Sequence, residues 1–250
     1  MLNDGPAELA GKVILITGAS RGIGHAVARA AASAGASTLL CGRDVAALER
    51  LADGIEAAGN PPPVLVPINL ETAGVRDYAL IAEQVDGRMG HLDGVVANAA
   101  MLGELAPLAT YDAVMWARVF QVNLHSVFLL LQATLPLVQQ APSGSVVFTL
   151  AAEGLNAKPH WGAYAGSKFA LRGLLEILTR EHASRSAVRF NAVVPPPVRT
   201  RLRAAAYPAE DPRTLAEPDS VTAPYLMLLG PRGADHRGRI ITVDGGSFSP

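Results

Sequence analysis

Cysteine is nearly missing from this 250-residue chain: Cys41 is the only one, so no disulfide can form within it. A reducing compartment, the cytoplasm, is the expected location. Aromatic residues make up only 5 % and charged residues only 17 %, and 21 basic side chains meet 22 acidic ones for a net charge of −1. That balance gives no electrostatic footprint for a polyanion, and the basic residues form no long run, which argues against nucleic acid as a partner. Uninterrupted apolar runs are missing too. The longest, from Val122 to Val138, is broken by Asn123, His125, Ser126, Gln132 and Thr134, short of what a bilayer requires, so no membrane span is expected. The first ten residues, with Asp4, Pro6 and Glu8, lack the basic-then-apolar order of a secretory signal. No internal repeat or low-complexity linker is found.

What is present is apolar: half of the residues are hydrophobic and the mean hydropathy is +0.25, enough to bury a sizeable core. Short β-rich runs alternate with helical stretches, the pattern of parallel strands joined by crossover helices. The spacing predicts strands at 13–17, 38–41, 64–68, 94–97, 145–150, 189–193 and 240–243, and helices at 24–34, 45–57, 72–85, 112–139, 163–182 and 220–229. The strand runs are continuously apolar, as expected where helices cover both faces of a sheet. The segment 195–218, rich in Pro, Arg and Ala, fits neither pattern and sits where a substrate lid is useful. The expected architecture is a single α/β domain over residues 1–250.

Directly after the first strand, Thr17-Gly18-Ala19-Ser20-Arg21-Gly22-Ile23-Gly24 runs into an Ala-rich helix. Glycines in this position serve a tight turn, close backbone approach to phosphate, and close packing of helix on strand. The helix N-terminal amides then face a pyrophosphate. After the second strand comes Cys41-Gly42-Arg43-Asp44. A cation there suits a 2′-phosphate, and Arg21 offers a second one, so NADP(H) is favoured over NAD(H). The plainer alternative makes Arg43 a solvated residue and Asp44 a helix cap.

With Tyr164-Ala165-Gly166-Ser167-Lys168 added to the glycine turn, the chain resembles the classical short-chain dehydrogenase/reductase family over essentially its whole length. Ala97-Asn98-Ala99-Ala100, Asn123, Asn191, Thr200 and Val243-Asp244-Gly245-Gly246 add to the resemblance. It implies a Rossmann-type, doubly wound sheet of about seven parallel strands, with dimer or tetramer contacts through the fourth and fifth helices. It also implies an oxidoreductase acting on a small carbonyl or alcohol substrate. Tyr164 is then the acid/base, Lys168 the residue that lowers its pKa and holds the nicotinamide ribose, and Asn123 the holder of a relay water. Residues four apart share a helix face, which sets Lys168 beside Tyr164. The cofactor residues so implied are Gly18, Ser20, Arg21, Gly22, Ile23, Gly24, Arg43, Asn69, Leu70, Asn98, Tyr164, Lys168, Pro195, Val198 and Thr200.

The family has a serine thirteen residues before the tyrosine, and here that position is Ala151. Loss of one positioned donor costs about 3 kcal/mol of transition-state stabilisation. Thr149, a residue from 156–160, or the substrate itself can supply a replacement. Two other readings stand beside the standard one: a nucleotide-binding sensor or scaffold whose redox activity has decayed, and enoyl-reductase- or dehydratase-like chemistry. Ala100 and Pro196 also replace family glycines, and Asn69 replaces an aspartate. Glu153, Asn156 and His160 read as exposed loop residues. Arg199, Arg201 and Arg203 share one face if extended and spread as solvated residues if helical.

Overall fold

Strand β1 (Val13–Thr17) is apolar at four of its five positions and buried at all five, as a strand covered on both faces must be. The computed structural model describes residues 8–184, 186–243, 247 and 248. Around β1 lie β2 (Ser37–Gly42), β3 (Val64–Pro67), β4 (Gly94–Ala97), β5 (Ser145–Thr149), β6 (Arg189–Val194), β7 (Ile240–Thr242) and β8 (Ser247–Phe248). Their order is β3-β2-β1-β4-β5-β6-β7-β8. The first seven run parallel, as expected; β8 adds an antiparallel edge beside β7. Asp244, Gly245 and Gly246 of the closing motif lie outside the described residues.

The helices are α1 (Gly22–Ser33), α2 (Val45–Ala57), α3 (Val75–Met89), α4 (Ala113–Phe120), α5 (Ser126–Gln140), α6 (Gly162–His182), α7 (Arg201–Ala206) and α8 (Ala223–Leu229). On one face of the sheet, Tyr78, Ile81 and Val85 of α3, Leu130 and Leu137 of α5, and Leu171 and Leu175 of α6 pack on Leu15, Val95 and Phe148. On the other, Val27 and Ala31 of α1, Leu48 and Ile55 of α2, and Tyr225 and Leu228 of α8 pack on Ile14, Ile16 and Val147. Strand order reverses between β1 and β4, and a doubly wound sheet opens its ligand crevice at that point.

Three departures from the expected elements have physical causes. Helix α3 starts at Val75 because Asn69 takes up the preceding backbone: its Oδ1 accepts from Glu71 N at 3.2 Å and its carbonyl accepts from Ala73 N at 2.9 Å. The helix expected at 112–139 is two helices joined by a π-helical turn, Gln121–His125, where Asn123 is buried. Taken together, 113–140 is long and apolar enough by composition to cross a membrane, yet it packs in the fold against α3 and α6. The segment 195–218 is not structureless. Thr200 caps α7 by accepting from Arg203 N, and an isolated bridge pairs Val198 with Ala216, Arg199 N donating to Ala216 O at 2.9 Å. Since α7 is helical, Arg201 and Arg203 spread around its axis; Arg203 grips Glu210 with two hydrogen bonds of 2.6 Å, and Arg199 pairs with Glu217.

Candidate active site

A cleft of about 770 Å³ opens at the carboxyl ends of β1, β4 and β5. The glycine turn forms its floor. Gly18 (φ 71°) and Gly22 (φ 59°) take left-handed backbone that side chains rarely adopt, and a Cβ on Gly22 would come within 3.2 Å of Thr200 Cγ2. Gly24 lies outside the cleft lining and has a different task. A Cβ there would stand 2.4 Å from Gly18 O and 2.5 Å from Asn98 Nδ2, so only glycine lets α1 close onto the turn. Arg21 at the N-cap of α1 makes no side-chain capping bond, and the first turn holds no acid. These amides, lying beside a cradle that a Cβ would fill, fit a pyrophosphate.

Farther along, Arg43 lines the cleft with its side chain 61 % exposed and lies 3.9 Å from Glu71. Arg118 of α4 binds the other oxygen of the same carboxylate at 2.6 Å, so Glu71 is shared between the two arginines, and Arg43 keeps most of its side chain exposed at the cleft. Asp44 caps α2 by accepting from Ala47 N. Asn98 anchors the wall: its Nδ2 donates to Thr17 O at 3.1 Å, while Thr17 Oγ1 accepts from the Asn98 and Ala99 amides.

At the other end stand Tyr164 and Lys168, both buried and both lining the cleft. Lys168 Nζ donates to Thr149 O at 2.7 Å and lies 5.8 Å from the centre of the Tyr164 ring. Burial pulls the lysine pKa down to about 8. Burial pushes the Tyr164 phenol well above its ordinary value, with the negative charge of Glu153 and then Tyr225 adding to the shift. The expected lowering of the tyrosine by its neighbour is thus reversed in this structure. The Lys168 ammonium is turned onto a carbonyl, and burial is the leading cause of the upward push on the phenol.

Asn123 does not line the cleft: its Oδ1 accepts from Met101 N at 2.7 Å, and its Nδ2 donates to Met101 O and Ser167 Oγ, each at 2.9 Å. The side chain therefore ties the loop after β4 to α6 through the π turn, and has no amide proton left for a water. Thr149 also lines the cleft, its hydroxyl 3.0 Å from Tyr225 Oη and 3.4 Å from Asn98 Oδ1. Ala151 instead joins an apolar group of Ala100, Leu102, Trp161, Tyr164, Leu202, Ala206 and Tyr207.

Gly18, Ser20, Arg21, Gly22, Ile23, Arg43, Asn69, Leu70, Asn98, Pro195, Val198 and Thr200 all line this one cleft. Glu153, expected to be an exposed loop residue, lines it too, together with Lys158, for which the sequence carried no signal. Glu153 is buried rather than exposed; its Oε1 accepts from Lys158 Nζ at 2.9 Å, and Lys158 also donates to Tyr207 Oη at 3.2 Å. Their separation of five residues within a loop carries no periodic signal.

The family model of the short chain dehydrogenases matches residues 12–211. The chain belongs to the short chain dehydrogenase family. An uncharacterised oxidoreductase of Escherichia coli (strain K12), YciK, is 37 % identical over 219 residues, covering 88 % of this chain and 86 % of that protein. A solved short chain dehydrogenase structure from Pseudomonas syringae superposes with a TM-score of 0.94 at 39 % identity, covering 96 % of this chain and 98 % of the other. Another, from Shigella flexneri 2a in complex with NADP, superposes at 0.93 with 34 % identity, covering 96 % and 100 %. This chain is therefore a short chain dehydrogenase by sequence and by fold, an oxidoreductase family with a nucleotide-binding Rossmann sheet.

Proposed function

We propose that the chain is an NADP(H)-preferring oxidoreductase that interconverts a small carbonyl compound and its alcohol. The observation that carries this reading is the one cleft that joins the glycine turn and the largely exposed Arg43 side chain to the buried Tyr164–Lys168 pair. The NADP complex of the Shigella flexneri relative supports the choice of dinucleotide. Bound there, the nicotinamide cofactor supplies the hydride exchanged with the substrate carbon.

The chain's own residues do the rest. Gly18, Gly22 and the first amides of α1 hold the pyrophosphate, Arg43 and Arg21 the 2′-phosphate, and Lys168 the nicotinamide ribose. Asn69, Leu70 and Asn98 line the adenosine and central parts of the cleft; Pro195, Val198 and Thr200 close it from the side of α7. Tyr164 Oη exchanges the proton with the substrate oxygen. The apolar surroundings of Ala151 suit an uncharged substrate body of small or medium size. Phe128 of α5 and Ile177 of α6, 44 % and 54 % exposed, lie on an apolar face with Trp116 and Phe120, which supports assembly into a homodimer or homotetramer. A lone cysteine supports a cytoplasmic setting.

The test is oxidation of NADPH against a carbonyl panel. Tyr164→Phe is expected to keep NADPH binding and to lose about a hundredfold or more in turnover. Unchanged turnover in that variant overturns the reading. Binding of NADPH by the native protein with no turnover of any substrate favours instead the decayed nucleotide-binding protein, for which Ala151 is the motivating residue.

A further inference from the structure

Helix α7 starts against the glycine turn. A Cβ built on Gly22 would come within 3.2 Å of Thr200 Cγ2, so the residues that open α7 stand over the backbone that fits a pyrophosphate. Arg201 is the first of them. Its place is held from three sides: Thr200 caps the helix, Val198 pairs with Ala216, and Arg203 grips Glu210. Leu202 and Ala206, four residues apart, share the face that packs with Ala151 in the apolar group. Arg201 lies on the exposed face with Ala204 and Ala205. Of these three, Arg201 alone lines the cleft.

Most cations of the cleft already have partners. Lys158 pairs with Glu153, Arg203 with Glu210 and Arg199 with Glu217, while Arg43 shares Glu71 with Arg118. Lys168 is turned onto Thr149 O. Among the described residues, no carboxylate lies within ion-pair distance of Arg201 and no hydrogen bond holds its guanidinium. Arg21 is in the same state, and the reading above gives it to the 2′-phosphate. The pyrophosphate of a dinucleotide carries two negative charges, and the glycine turn meets them with amides alone. A guanidinium is the complementary group, because its planar fork of N–H donors matches phosphate oxygens.

We propose that Arg201 binds the pyrophosphate of the dinucleotide from the side of α7, opposite the glycine turn, so that the cofactor itself ties the covering segment to α1. The proposal deepens the functional reading above and rests on its dinucleotide site. It also divides the work among the arginines. Arg21 and Arg43 meet the 2′-phosphate and so separate NADP(H) from NAD(H). Arg201 meets a group common to both, and therefore adds affinity without choosing between them.

The test is calorimetric titration of the full chain with NADPH, with NADH and with 2′-AMP, which keeps the 2′-phosphate and lacks the pyrophosphate. Arg201→Gln is expected to weaken both dinucleotides about tenfold and to leave 2′-AMP unchanged. A loss confined to NADPH overturns the proposal and moves Arg201 to the 2′-phosphate. An equal loss for 2′-AMP overturns it as well, since the substitution then disturbs the whole site. Native binding of both dinucleotides that Arg201→Gln leaves unchanged overturns this proposal alone. Failure of the native chain to bind either dinucleotide overturns the functional reading together with it.

Discussion

Lys168→Met is expected to make the protein more stable while removing its function. The amine is 2 % exposed, and burial draws its pKa from 10.5 to about 8. An unfolded chain keeps the ordinary value, so at pH 7 the folded state holds an ammonium at a cost of roughly 2.5 pKa units, or about 3 kcal/mol. Methionine fills much the same volume without the charge. It also leaves Thr149 O without the Lys168 donor, which gives back about 1 kcal/mol. The net gain is about 2 kcal/mol at pH 7, or roughly 4–8 °C in Tm for a chain of this size. Between pH of about 8 and 10.5 the unfolded chain binds a proton that the folded chain has released, so native stability rises with pH there. The advantage of the variant must therefore shrink across that window and vanish by pH of about 10. Thermal melts of both proteins at several pH values measure it. A variant no more stable than the native protein at pH 7, or an advantage that does not change with pH, refutes the reasoning.

Gly24→Ala drives a methyl to 2.4 Å from a backbone carbonyl that cannot yield without opening the turn. A loss of about 1–3 kcal/mol in stability is expected, together with weakened NADPH binding, checked by thermal melting and fluorescence titration. Arg43→Ala removes a charged phosphate partner and is expected to weaken NADPH binding about tenfold while sparing NADH. Equal weakening of both, measured in the same titration, removes Arg43 from the 2′-phosphate site.

What could be read from the residues is what local rules govern. Continuously apolar runs located all seven parallel strands, and glycine at Gly18 and Gly22 meets a backbone need that no other residue fills well. Tyr164 and Lys168 share a face because a helix puts residues four apart together. Tertiary relations were beyond reach. Glu71 meets Arg118 across 47 positions, and Glu153 is buried because a glycine beside it lets the loop sink onto α6. The π turn that buries Asn123 is likewise a product of packing, so the local pattern showed an unbroken helix. Helix α7 did have a signal: Leu202-Arg203-Ala204-Ala205-Ala206 are strong helix formers behind a Thr200 cap, masked by the prolines on either side.

The pairing of Val198 with Ala216 gives the segment that covers the cleft the statistics of a ring rather than of a tail. Its ends are already joined, so the entropy of closing it is spent in folding and not at each encounter with substrate. Inside the ring, Arg203 and Glu210 cross-link one side to the other. A segment closed in this way is already ordered, so little of a ligand's binding free energy goes into ordering it. Even a weakly held ligand in the cleft then keeps most of its interaction energy for its own contacts.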